Sequence, residues 1–566
     1  MGIDVKIVKA KDDTDILEIN SHGKLFRMNS TYKPREEASR YATQFETYSD
    51  NNILFIFGFG NGIIPEAIRQ NFKGTIVFYE PSKEVVDVLT GYNYSKICNG
   101  EDTILVMPEG CELSAPISNK FELPLLLESL ITYSNYDNVV YGVLPKYKEL
   151  FYDEYCYFSE TIESHINKLK GNIETAKLMG KEAVENNILN MKYISGSFCA
   201  DDFVDVFPKE MPAIIVSAGP SLVKNIHMVK CAKGKALIIC VDTALKYMLD
   251  SGELPDCIIS VDPKIMLSVF DDERLAGIPI LASFETNNKI LEKFFNSPIV
   301  FVSTENTYIQ HIYKKIGHKI ERIRSGGSVS TMAFSLCVYW GFRNIILIGQ
   351  DLALTGSYMY ADGNKIDLNN SEKTLIEVQD INGSTVYTYG DYYRYLKWFE
   401  QEIPLLQDVS VIDATEGGAL IRGSLVMTFE EAIKKYCQGE MNYTNIFRMD
   451  VAKPIDERAS RIVWSIINES KKRLQELDNK INFGMELIGD EKHNEEIEDI
   501  FVFYEEMDES YIIQRQIDAT MLDEFMGIFE GEISSAEEQK ERLYKYFNCL
   551  KEALIVIKKI WEQLYD

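Results

Sequence analysis

No stretch of 18 or more uninterrupted apolar residues occurs in this 566-residue sequence, so no transmembrane helix is predicted. The start, Met1-Gly2-Ile3-Asp4-Val5-Lys6, has no basic segment leading into an apolar run, so no secretory signal is expected. Lys6 also stands where a myristoylation motif wants Ser or Thr. The ten cysteines (Cys98, Cys111, Cys156, Cys199, Cys231, Cys240, Cys257, Cys337, Cys437, Cys549) form no CxxC pair. Cys231, Cys240, Cys257 and Cys337 sit in apolar runs and read as small buried hydrophobes, which fits a reducing, cytoplasmic setting. There is no Walker-type GxxxxGK[ST] and no repeat of 20–50 residues. Positive charge is the scarcest ingredient: 59 Lys and Arg face 87 Asp and Glu, a net charge of −28. Such a surface repels nucleic acid and anionic membrane, so neither is expected as a partner. A nucleotide ligand would need a local site of backbone N–H groups and helix dipoles.

The chain is too long for one core, and three or four domains are expected. After a polar, mixed stretch of about 50 residues comes an apolar strand, Ile53-Leu54-Phe55-Ile56-Phe57. It runs into Gly58-Phe59-Gly60-Asn61-Gly62 and a helical pattern. A second strand, Thr75-Ile76-Val77-Phe78-Tyr79, ends at Glu80-Pro81. That βαβ layout suits a nucleotide, but it equally suits a tight turn needing positive φ, with Glu80 capping the next helix. An amphipathic helical stretch follows, then a second α/β region with strands at 213–216, 236–241, 257–261, 279–282, 298–303 and 344–348. Such alternation argues a mostly parallel sheet. From about residue 450 Pro and Gly are scarce, and Ile462, Ile466, Leu474, Leu477 and Ile481 recur at helical spacing.

The candidate chemistry lies in the second region. Ser217-Ala218-Gly219-Pro220-Ser221-Leu222 follows its first strand, a Gly-Pro turn that exposes N–H groups and a hydroxyl where a phosphate would settle. Asp242 and Asp262 end neighbouring strands and face the crevice where α/β ligands bind, although each could instead cap the next helix. A loop, Arg324-Ser325-Gly326-Gly327-Ser328-Val329, opens a helix. Gly349-Gln350-Asp351, the Tyr358 and Tyr360 pair, and Asp413-Ala414-Thr415-Glu416-Gly417-Gly418-Ala419 complete the set.

The order AGPSL, VDTALK, PDCIISVDP, SGGSVSTMAFSLCVYWGFRNIILIGQDL, YADG, DATEGGA resembles the motility accessory factor (Maf) flagellin glycosyltransferases. The same region is similar to bacterial CMP-sialic-acid sialyltransferases. The resemblance implies an α/β multidomain chain: an N-terminal Rossmann-like domain at 1–147 and a helical connector at 148–195. A sialyltransferase-like domain with a mostly parallel sheet would follow at 196–440, and a helical C-terminal domain at 441–566. It implies a CMP-activated nonulosonic acid, pseudaminic or legionaminic, as donor and flagellin Ser/Thr as acceptor. Gly219, Pro220 and Ser221 would hold the nucleotide, and Gly327 and Ser328 the donor phosphate or carboxylate. Tyr358 and Tyr360 would meet the leaving phosphate, and Gly417 with Glu416 would close the pocket. Asp242 and Asp262 stand where the sialyltransferases carry Asn, so an anionic nucleotide would be repelled unless these carboxyls take ribose or cytosine donors, are protonated, or bind a cation.

The His that serves those enzymes as base has no counterpart. None of His22, His165, His227, His311, His318 and His493 lies in the matching stretch, which leaves Asp351, Asp391 and Glu416 as carboxylate candidates. No cofactor is expected beyond the CMP-activated sugar itself, and no resident metal; Mg²⁺ is possible but not indicated, and a homo-oligomer is left open. Two alternatives remain. One is a Mg²⁺-dependent pyrophosphokinase of the hydroxymethylpterin type, which the central region also resembles. The other is a flagellin-binding scaffold with a vestigial site.

Overall fold

The computed structural model describes residues 3–90, 97, 102–108, 110–111, 123–265, 267–354, 375–439, 454–489, 491–529 and 533–565. The chain divides into two compact units, Met1–Thr175 and Ala176–Asp566. The boundary falls inside one long helix, Tyr152–Leu189. The sequence-expected border near residue 440 lies outside the described residues.

The first unit opens with an antiparallel sheet, β1 (Asp4–Lys9), β2 (Asp15–Ser21) and β3 (Lys24–Arg27). His22 and Gly23, both at positive φ, form the two-residue turn between β2 and β3. A parallel sheet follows, made of β4 (Ile53–Phe57), β5 (Thr75–Tyr79), β6 (Thr103–Val106) and β7 (Val139–Val143), in the order β6-β5-β4-β7. All five residues of β4 are buried, as expected for a parallel strand covered on both faces. The chain moves from β4 to β5 to β6, then returns to the far side of β4. That reversal makes a topological switch point between β4 and β7.

The second unit carries a nine-stranded sheet. Its strands are β8 (Phe198–Cys199), β9 (Ala213–Val216), β10 (Leu237–Val241), β11 (Cys257–Ser260), β12 (Ile280–Ala282), β13 (Ile299–Phe301) and β14 (Asn344–Ile348). A hairpin of β15 (Leu375–Gln379) and β16 (Thr385–Tyr389) stands apart, and β17 (Ser410–Asp413) and β18 (Leu425–Val426) rejoin the sheet. The order is β18-β17-β14-β9-β10-β11-β12-β13-β8, and every described pairing is parallel. Here too the chain walks outward from β9 through β13 and returns to β14 on the other side. A second switch point therefore opens between β9 and β14.

The helices Glu457–Leu487, Asn494–Glu505, Ser510–Thr520 and Ala536–Glu562 form the helical C-terminal region. In the first of them the buried stripe is Val463, Ile467, Leu474, Leu477 and Ile481. Ile462 and Ile466, expected on that stripe, are only half-buried, one residue out of phase. The run Ile462-Val463 and the run Ile466-Ile467 offer two apolar residues in succession, and packing selects the second of each. Among the described residues no helix is long and apolar enough to cross a membrane.

Candidate active site

The two switch points differ in what fills them. In the first unit the Tyr147 ring, wholly buried, lies against Gly58, where a Cβ would stand 2.7 Å from ring carbons. Gly58 also sits at φ +99, a conformation that favours glycine. The Tyr147 hydroxyl accepts from Gly60 N–H at 2.8 Å and donates to Glu80 Oε2 at 2.6 Å. That same oxygen accepts Phe59 N–H at 3.0 Å and Gly60 N–H at 3.1 Å, and Oε1 accepts Ser82 N–H at 3.1 Å. Burial pushes the Glu80 carboxyl up, and its hydrogen bonds oppose the shift. The amides that a ligand would use are therefore occupied by the protein's own carboxylate. Of the two readings of the Gly-rich turn, the tight-turn reading is the one this geometry carries. Glu80 is not the cap of the next helix; Ser82 is, accepting Val85 N–H.

At the second switch point the backbones of β9 and β14 stay paired past the ends of the strands: Ser217 N–H donates to Ile348 O at 2.9 Å and Gly219 N–H to Gly349 O at 2.7 Å. Ser221 then binds Asp351 twice. Its N–H donates to Oδ1 at 3.1 Å and its hydroxyl to Oδ2 at 2.6 Å. Gly219 is required here by close approach, since a Cβ would lie 2.0 Å from Asp351 Oδ2. Gly219 and Pro220 stay half-exposed at the mouth. Gly417 closes one side, with its α-carbon face toward Ser221, Lys224 and Asp351. Lys224 Nζ donates to Glu416 O at 2.7 Å and brings a cation to the turn.

The acidic pair lies on the other side of β9. Asp242 is 2% exposed; Oδ2 accepts the Ser260 hydroxyl at 2.7 Å and Oδ1 accepts Thr243 N–H at 2.7 Å. Burial, then the charge of Asp262, pushes Asp242 up to about 7. Burial and Glu285 raise Asp262 in turn. Arg515, on the helix Ser510–Thr520, reaches Glu285 Oε1 at 3.3 Å. At this edge one carboxyl is poised to be neutral and another neighbour is matched by a cation, so an anion meets less repulsion than the sequence suggests.

The other expected site residues divide. Ser328 is the N-cap of the helix Val329–Tyr339, its hydroxyl accepting Thr331 N–H, and Gly327 sits beside it with a Cβ position 3.7 Å from the Tyr395 ring. That helix precedes β14, so its N-terminus lies on the same edge as the Ser217–Ser221 turn. Glu416, at φ +61, accepts at 3.0 Å the N–H of Phe429, the first residue of a helix whose N-cap is Thr428. Asp391 is exposed on the first turn of the helix Gly390–Glu402 and pairs with Arg394 at 2.5 Å. Tyr358 and Tyr360 lie outside the described residues. Cys240, Cys257 and Cys337 are buried as expected, whereas Cys231 is exposed, because it ends a short 3-10 segment whose apolar side is carried by Ile226 and Val229. His311 pairs with Asp508 at 3.1 Å.

Sequence reasoning missed two contributors, Lys224 and Arg515, and gave no role to a third that it named, Asp413. Lys224 could have been found three residues after Ser221, one turn into the segment that the Gly-Pro turn opens. Asp413, last residue of β17, is buried, and burial pushes it up to about 6, with Asp351 adding to the shift. Its Oδ1 accepts Thr415 N–H, and Oδ2 has no partner among the described residues. Arg515 had no local signal, because 230 residues separate it from Glu285. A cavity of about 380 Å³ lies between the β15–β16 hairpin and the helix Gly390–Glu402, lined among others by Glu377, Tyr393, Lys397, Glu400 and Arg422. Its cations are met internally, Lys397 at 2.9 Å and Arg422 at 3.8 Å from Glu400, so it offers an anion less than Lys224 does.

Comparison with known proteins bears on the fold. Residues 185–357 match the family described as 6-hydroxymethylpterin diphosphokinase MptE-like. A protein of Treponema pallidum (strain Nichols), described as uncharacterized, is 34% identical over 88 residues, which span 15% of this chain and 39% of that relative. The structure of a Maf glycosyltransferase from Magnetospirillum magneticum AMB-1 is similar with a TM-score of 0.61 at 12% identity, over 99% of this chain and 92% of that one. The resemblance read from the central motifs thus holds across the architecture, and this chain has the fold of a Maf glycosyltransferase.

Proposed function

We propose that the protein is a glycosyltransferase that moves a nonulosonic acid, pseudaminic or legionaminic, from its CMP donor to Ser or Thr hydroxyls of flagellin in the cytoplasm. The observation that carries this reading is the β9/β14 switch point. A Gly-Pro-Ser turn, a lysine and the N-terminus of the helix Val329–Tyr339 share one edge of the sheet there, within a fold shared with a Maf glycosyltransferase. The CMP phosphodiester is a good leaving group, so the protein's main task is to hold developing negative charge. Lys224 and the N-terminal dipole of the helix Val329–Tyr339 suit that task, since the Gly219 and Ser221 N–H groups are already held by Gly349 O and Asp351, and the neutral form of Asp242 keeps an opposing charge away. Asp351 acts here as the residue that positions Ser221. No resident metal enters this reading.

The test is calorimetric titration of CMP, CDP, ATP and S-adenosylmethionine, with and without Mg²⁺, into the parent protein and the variants Ser221→Ala and Asp262→Ala. CMP binding that is lost or weakened in these variants supports the transferase. ATP binding that requires Mg²⁺, with CMP silent, would overturn it in favour of the diphosphokinase named in the family description. Silence of every nucleotide, with flagellin present, would leave the scaffold reading.

A further inference from the structure

At the far edge of the large sheet β8 ends in Cys199, paired across to Phe301 of β13. The chain turns at once into a 3-10 segment, Ala200–Phe203, in which Cys199 N–H donates to Asp202 Oδ2 at 2.9 Å. A third group arrives from elsewhere. The helix Thr307–Lys315 ends in Gly317 at φ +78, and His318 N–H closes back on Tyr313 O at 2.9 Å, fixing the His318 backbone. As a result Cys199 Sγ, an Asp202 carboxylate oxygen and a His318 ring nitrogen all lie within 4.8 Å of one another. Among the described residues the His318 ring makes no hydrogen bond or ion pair. The neighbouring carboxylate of Asp201 is already engaged, by the Tyr339 hydroxyl at 2.8 Å and Glu321 N–H at 3.3 Å. Lys319 is paired with Glu321.

A second observation points to the same place. The Tyr313 hydroxyl is fully buried and has no hydrogen-bond partner among the described residues. Cys199 and Asp202 are among the groups whose charge acts on it. The Ser197 hydroxyl donates to Ile194 O and offers its oxygen to the Tyr313 hydroxyl only at poor geometry. A buried hydroxyl so poorly satisfied is costly, and a metal-held water is a partner of the kind it lacks.

We propose that Cys199, Asp202 and His318 form a binding site for a transition-metal dication of the zinc type. A thiolate, an imidazole and a carboxylate are the donors such an ion takes, with ligand atoms about 3.5 Å apart around a tetrahedron, so closing the site needs side-chain shifts of about 1 Å. Three protein ligands leave the fourth position to water. The site is five strand spacings from β9, roughly 24 Å, and so lies well away from the Ser221 turn. Its role is structural. The ion joins a two-residue edge strand to the end of a helix from later in the chain and shields an edge otherwise held by few hydrogen bonds.

The test uses the full-length protein, stripped with chelator and titrated with Co²⁺, then with Zn²⁺. The expected result is one equivalent of Co²⁺ with a sulfur-to-metal charge-transfer band, displaced by Zn²⁺, and a melting temperature raised by Zn²⁺. Cys199→Ser should abolish the band. His318→Ala, at a partly exposed position that leaves the core intact, should weaken Co²⁺ binding at least tenfold. Absence of the band would overturn the site. So would a band that survives in Cys199→Ser, which would place the metal on another thiol such as exposed Cys231, or His318→Ala binding as tightly as the parent.

Discussion

Ser221 holds Asp351 with both its backbone N–H and its hydroxyl, the latter at 2.6 Å, and thereby ties the turn after β9 to the turn after β14. A hydrogen bond to a buried charged group is worth about 1.5–3 kcal/mol. Ser221→Ala removes one of the two and keeps the N–H contact, so it should lower the melting temperature modestly. If the turn holds the donor, CMP affinity should fall by about tenfold, which is about 1.4 kcal/mol. Asp351→Ala should cost more than Asp351→Asn, because Asn keeps an acceptor for the Ser221 N–H. Calorimetry and thermal melts on the three variants check this ranking; equal losses in Asn and Ala would refute the positioning role.

Asp242 makes the protein's stability depend on pH in a defined direction. Its carboxyl is pushed from 3.8 to about 7 by burial and by Asp262. Between those values the folded state binds more protons than the unfolded state, so stability falls as pH rises from about 4 to about 7. Asp413, pushed up to about 6, acts in the same direction. Melts at pH 5, 6, 7 and 8 should show this decline, and Asp242→Asn should flatten it. CMP should also bind more tightly to the parent at pH 6 than at pH 8, and this difference should shrink in the variant.

What could be read from the sequence follows from physical range. The strands β4, β9, β10 and β14 are short runs, apolar throughout except for Asn344 at the start of β14, and burial on both faces makes them conspicuous. The half-exposed β1 and β2, with Val5 and Ile7, then Leu17 and Ile19, spaced two apart, lie within a stretch whose composition is polar and mixed. The two-residue strands β8 and β18 owe their existence to neighbours and carry no local pattern. In the site, the Gly-Pro-Ser turn and the strand-end carboxylates are local features and legible. Their actual partners are not, since Ser221–Asp351 spans 130 residues and Glu285–Arg515 spans 230. Nor could spacing reveal that Tyr147 plugs the first Gly-rich turn.

That plug gives a prediction for the first unit. Gly58→Ala places a methyl group 2.7 Å from the Tyr147 ring at φ +99, so overpacking and backbone strain combine, at a cost of about 2–4 kcal/mol. Glu80→Gln should also destabilise, because one carboxylate oxygen accepts three hydrogen bonds there. Neither change should alter CMP affinity, and S-adenosylmethionine should give no heat with the parent. Heat from S-adenosylmethionine that disappears in Glu80→Gln would show that the turn opens to a ligand after all.

Arg515 offers the sharpest electrostatic test of the acidic edge. It is the cation that faces Glu285 at 3.3 Å, and Glu285 in turn raises Asp262. The pair is about one-third exposed on both sides, so its direct contribution to stability is small, about 0.5 kcal/mol. Its effect on an anionic ligand should be larger, because Arg515→Met leaves Glu285 and Asp262 without the cation between the helical region and the sheet edge. CMP affinity should then fall several-fold at low salt, with a smaller loss at high salt as screening sets in. Arg515→Lys should recover part of the affinity, and Glu285→Gln combined with Arg515→Met should recover most of it. If the double variant binds no better than Arg515→Met alone, the arginine acts through the packing of the helix Ser510–Thr520 and not through charge.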